Sequence, residues 1–172
     1  MNLLTEDECR EWLSRRIQEP FAGSAVEEAY RCSITYMIPS DSGRKTALAR
    51  ALSSVLNVEG EGLLWITGWS VFPSSENMAL FLGYRRLVGD ERSVHAAPGH
   101  LFAQGDLQTV ECLLDLILYF FWDSDVFDSR SLWLRVSHDE SVTINARDQE
   151  ALGSVEEVLS EYGLRELSRS TY

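Results

Sequence analysis

DLQTVECLLDLILYFFWD, residues 106–123, is the most apolar run in the chain, and two folds compete for it: a membrane span or a core helix. Leu107, Val110, Leu113, Leu114, Ile117, Leu118 and Phe121 would cover most of the circumference of a helix capped by Asp106, while Glu111 and Asp115, four residues apart, mark a narrow polar stripe. A span needs about 20 apolar residues with few charges. This run is shorter and carries two carboxylates, so it predicts a central core helix enclosed on most sides.

What lies on either side supplies the rest of a packed domain. Upstream, Glu6–Gln18 reads as a helix with a T-x-x-E capping box at Thr5 and Glu8, and Trp12, Leu13 and Ile17 on its apolar side. Pro20 and Gly23 would stop it. From Tyr30 to Ile38 the side chains alternate, with Tyr30, Cys32, Ile34, Tyr36 and Ile38 on one face, as a strand with one buried face requires. A second helix is expected over Arg44–Leu56, then a buried strand in LLWITGWSVF (63–72) with a bulge or close approach at Gly68, then a shorter helix capped by Ser74 or Ser75. Downstream, LWLRVS and SVTINA form a hairpin across His138-Asp139-Glu140, and a last helix capped by Asp148 ends at Gly163. No repeat or linker divides the chain. The expectation is α+β: residues 1–172 as a single globular domain, about five helices packed on a mostly antiparallel sheet of four or five strands.

Composition bounds the function. The chain has 172 residues, 45% apolar and 24% charged, which supports a buried core and excludes disorder. Its net charge is −12, with acidic residues outnumbering basic ones 11 to 5 from Phe121 onward. Such a field repels phosphate backbones and anionic lipid, so no nucleic-acid and no membrane partner is expected, whereas a basic protein partner would be attracted. Cys9, Cys32 and Cys112 form no C-x-x-C pair and read as buried, reduced thiols. The acidic N-terminus is unlike a secretory or transit signal, and the expected location is cytoplasmic. The oligomeric state is not legible.

PSDSGRKT (39–46) resembles a phosphate loop, but the two glycines of G-x-x-x-x-G-K-[ST] fall on Pro39 and Arg44. It reads as a strand-to-helix turn capped by Asp41 or Ser42. There is no G-x-S-x-G elbow, and each cysteine sits in an apolar pattern, so no catalytic nucleophile is assigned and an enzyme is not the favoured reading. No cofactor and no metal are implied: FFWDSDVFDS lacks the glycine and spacing of a calcium loop. That same segment places Asp123, Asp125 and Asp128 among Trp122 and Phe127, which would let three carboxylates and two aromatic anchors engage a basic protein. The favoured function is therefore a non-catalytic interaction module, an inhibitor or immunity-type partner of a basic protein. The alternative is a small-molecule-binding protein or enzyme with a pocket under the aperiodic loop 89–105, lined by Trp65 or Trp69, with Arg85, Arg86, His95 and His100 nearby. A deep pocket beneath that loop, lined by Trp65 or Trp69, favours the second; a flat acidic surface and no such pocket favours the first.

Overall fold

The computed structural model describes residues 1–17, 29–69, 79, 82–83, 85–87, 89–93 and 95–171. Its strands are β1 (Asn2–Leu4), β2 (Cys32–Met37), β3 (Gly62–Gly68), β4 (Gly99–Phe102), β5 (Asp123–Phe127), β6 (Leu132–Ser137), β7 (Ser141–Ala146) and β8 (Glu166–Thr171). The helices with full described bounds are α1 (Glu6–Ile17), α2 (Ser42–Ser54), α3 (Leu107–Phe120) and α4 (Gln149–Ser160), with a 3-10 turn at Gln104–Asp106. All eight strands form one sheet in the order β1-β4-β3-β5-β6-β7-β2-β8, and every neighbouring pair is antiparallel.

The sheet therefore has eight strands, not the four or five expected. β1, β4, β5 and β8 are the additions, and none advertises itself. β1 has three residues, β4 four, β5 is a DSDVF segment with two aspartates, and β8 is an edge strand with the polar sequence ELSRST. Asp is depleted in strands as a class, so DSDVF carries little strand signal of its own. It is instead the strand between β3 and β6.

Helix α3 ends at Phe120; Phe121 adopts the left-handed conformation (φ 54°), and the chain reverses into β5. Asp106 occupies the N-cap position of α3 but makes no capping bond there; one of its oxygens accepts from the Ala103 N–H. The capping box is present at α1, where the Thr5 N–H donates to Glu8 and the Glu8 N–H to Thr5 Oγ1. Asp41 and Asp148 cap α2 and α4 by accepting from Arg44 N and Ala151 N. Pro20, Gly23, Ser70, Val71, Phe72, Ser74 and Ser75, which figured in the expected stops, strand end and caps, lie outside the described residues.

The strand alternation sorts side chains to two faces. Ile34, Leu64, Ile66, Val126, Leu134, Val136, Val142 and Ile144 meet Leu48, Leu52, Leu113, Leu114, Ile117, Leu152 and Val155 of α2–α4 in the larger core. The opposite face holds a smaller core: Cys9 and Leu13 of α1 pack with Tyr30, Leu63, Trp65, Phe127 and Trp133. Helix α1 approaches so closely that a Cβ on Gly99 would stand 2.1 Å from Cys9 Sγ. Cys9 and Cys32 are buried as expected, but Cys112 is exposed, because it falls on the solvent side of α3 with Gln108 and Tyr119. Among the described residues no helix is long and apolar enough to cross a membrane.

Candidate functional site

The phosphate-loop look-alike is absorbed into the fold. Asp41 accepts the Arg44 N–H at 2.9 Å, and the Arg44 guanidinium donates to the carbonyls of Tyr162 and Gly163 beyond α4. Lys45, the only lysine in the chain, is buried with its ammonium 3.8 Å from the centre of the Phe121 ring. Burial lowers its pKa, against the opposing charge of Glu140. Neither cation points toward an anion at the helix start.

The three aspartates of FFWDSDVFDS are not presented together. Asp123 and Asp125 share one face of β5, whereas Asp128 begins the following turn, is 6% exposed, and accepts from the N–H groups of Arg130, Ser131 and Leu132. Asp125 accepts from Trp133 Nε1 at 2.7 Å and Arg135 Nε at 3.1 Å. Burial raises the pKa of its carboxyl, against the opposing pull of Arg135 and the Trp133 hydrogen bond. Trp122 and Phe127 are both core residues, at 0% and 4% exposure.

The residues assigned to the loop separate into two levels. Arg85 and His100 are fully buried; Arg85 is 3.6 Å from Asp90 and donates to the Ser93 carbonyl. Burial and the nearby Arg85 charge push the His100 pKa down to about 3, with the backbone of Leu64 and Pro98 pulling the other way. This imidazole is neutral at physiological pH. Arg86 is exposed on the helical segment 85–87. His95 alone of this group reaches the surface beside Trp69, their rings 5.6 Å apart and edge to face.

His95 and Trp69 open onto a cleft of about 320 Å³, which Trp65, Thr67, Glu6 and Arg10 complete, with Pro98 at its back. Each element contributes for a local reason. Trp65 and Thr67 point to the α1 side of β3 by strand alternation, with the register shift between Ile66 and Gly68 turning the strand end. Glu6 and Arg10 lie one helical turn apart at the start of α1, joined at 2.5 Å, with the Arg10 guanidinium 5.7 Å from the Trp65 ring centre. Trp69 is held from behind by Trp122, ring centres 4.7 Å apart.

Polar groups continue from this cleft across the same face. Asp125 is the cross-strand partner of Trp65, and Arg135 that of Asp125. The Asp123 carboxylate occupies the space a side chain at position 68 would need, 2.5 Å from where its Cβ would lie. Gly68 is thus required by close approach, between two cleft residues. Asp123 also accepts from His138 Nδ1 at 2.8 Å and from the His138 backbone N–H at 2.8 Å, leaving Nε2 3.6 Å from Asp139. Hydrogen bonding to Asp123 and its charge raise the His138 pKa.

Glu6, Arg10, Thr67 and the Asp123–His138 pair were not singled out from sequence. Glu6 carried only a helix-end signal, and Asp123 and His138 meet because β5 and the β6–β7 turn are adjacent, 15 residues apart in the chain. A second cleft, about 310 Å³, lies between α2, the turn after β5 and α4; its one charged residue, Asp128, is already committed to the turn. Among the described residues no group of three or more His, Cys, Asp or Glu is arranged to hold a metal ion. No family model matches the chain, and no curated protein or solved structure matches it either.

Proposed function

We propose that this chain is a small-molecule-binding protein whose site is the cleft between α1 and the end of β3. The observation that carries the reading is the convergence of Trp65, Trp69 and His95 on one concavity of about 320 Å³. That volume is at the lower end of the range for ligand sites, and aromatic side chains meet several polar ones in its lining. The half-buried Trp69 and the small exposed part of Trp65 offer rigid aromatic surface, while Thr67, His95, Glu6 and Arg10 offer hydrogen bonds that fix orientation.

The reading as an interaction module for a basic protein retains the net charge of −12 as its support. Asp123, Asp125 and Asp128 each serve a partner within the chain, and Trp122 and Phe127 serve the core. Freeing them for a partner would expose groups whose loss the fold itself would feel. The cleft needs no such rearrangement.

Thr67 is exposed and at the cleft, so Thr67→Phe fills the concavity from an exposed position. A fragment screen read by NMR at the tryptophan indole signals is expected to yield ligands that shift Trp65 and Trp69 in the parent chain and not in the variant. Ligands that shift neither indole, or that bind the blocked variant equally well, would show that the site lies elsewhere.

A further inference from the structure

The charges around the cleft point to its ligand class; the step rests on the cleft being a ligand site. Two carboxylates on this face stand beside arginines, Glu6 beside Arg10 and Asp125 beside Arg135 at 3.1 Å, and a third, Asp123, is held by His138. A purely cationic ligand that reached Glu6 would meet Arg10, and a purely anionic one that reached Arg10 would meet Glu6. A ligand bearing both signs, close together, can satisfy both members of the Glu6–Arg10 pair at once.

The Glu6–Arg10 pair retains the capacity for it. Both side chains are about half exposed, 58% and 51%. Their one hydrogen bond uses a single guanidinium nitrogen and a single carboxylate oxygen, which leaves further donors on Arg10 and the second oxygen on Glu6. Exposed pairs one turn apart are among the weakest ion pairs, so a ligand can insert between them at little cost. The Arg10 guanidinium also stands 5.7 Å from the Trp65 ring centre, which brings it to the aromatic part of the cleft. Beyond the charges, the half-buried Trp69 provides aromatic surface for the rest of the ligand.

We infer that the cleft recognises a free zwitterion with an apolar or aromatic side group, in chemical class an α-amino acid. Arg10 takes the carboxylate, Glu6 takes the ammonium, and the side group lies against the two indoles. The modest volume suits one amino acid and not a long peptide.

The test uses the full chain and four probes: L-phenylalanine, phenethylamine without the carboxylate, 3-phenylpropionate without the amine, and neutral benzyl alcohol. Binding is followed by calorimetry and by the indole NMR signals. L-phenylalanine is expected to bind saturably and at least 10-fold more tightly than either singly charged analogue. Arg10→Gln should bring it level with phenethylamine, and Glu6→Gln level with 3-phenylpropionate. Both positions are exposed, and circular dichroism checks that each variant is folded. Equal or tighter binding of an analogue overturns the zwitterion assignment and leaves the cleft reading intact, as does binding of benzyl alcohol alone. No indole response to any probe overturns the assignment, and the fragment screen with Thr67→Phe then decides the cleft reading separately.

Discussion

One added carbon should move stability in opposite directions at two glycines. At Gly99 a Cβ would lie 2.1 Å from Cys9 Sγ and 3.1 Å from Leu4 Cβ, and overpacking of this kind costs about 1–3 kcal/mol. At Gly153, exposed within α4, nothing lies within 4 Å, and Ala gains about 0.5–1 kcal/mol over Gly in a helix interior. Urea midpoints of Gly99→Ala and Gly153→Ala check the pair. Two histidines differ as sharply. His138 has its pKa raised by Asp123, so the pair contributes stability below the unfolded value near 6.5 and loses it as pH rises through the folded pKa. Asp123→Asn should lower the His138 titration midpoint in an NMR titration. His100, pushed down to about 3, acts in reverse: the unfolded chain takes up a proton below about pH 6.5 and the folded chain does not. Stability should fall by about 1.4 kcal/mol per pH unit on that account as pH drops from there toward 3. The His100 ring signals should not titrate above pH 4.

Caps fix where the helices begin, and their loss should be measurable one helix at a time. Asp41→Ala removes the acceptor for Arg44 N, and Asp148→Ala the acceptor for Ala151 N; each is expected to cost about 1 kcal/mol, read from urea unfolding. The same signal, an aspartate before an apolar period, made these two caps legible and misled at Asp106, whose carboxylate accepts from the Ala103 N–H instead. The β6–β7 hairpin was legible from its alternation: Leu132, Leu134 and Val136 face one core, Trp133 and Arg135 the other side. Half of the strands were not legible. β5 carries Asp123 and Asp125 toward α1 and the cleft, where His138, Trp133 and Arg135 satisfy them, and only the tertiary partners make such a sequence acceptable in a sheet interior. Of the candidate site, the tryptophans and His95 could be anticipated from an aromatic strand beside an aperiodic loop. The α1 wall could not, because nothing local to Glu6 and Arg10 says which strand the helix covers.

For the molecule as a whole, 27 acidic residues against 15 basic ones imply self-repulsion in the folded state, which salt screens over about 10 Å at 0.1 M. The melting temperature should rise between 10 and 200 mM NaCl, as differential scanning calorimetry can establish. A fall would mean that the ion pairs, such as Arg50–Glu111 and Arg169–Glu156, outweigh the repulsion. The placement of β2 has a different consequence. It lies between β7 and β8, so Met37 pairs with Ser141, 104 residues later in the chain. At roughly 5–20 residues per second of synthesis, the ribosome has released the β2 segment about 5–20 s before its first partner strand exists. During that interval Cys32, Ile34 and Tyr36 have no sheet to enter, and a nascent chain of this topology is a natural client for a chaperone that shields short apolar segments.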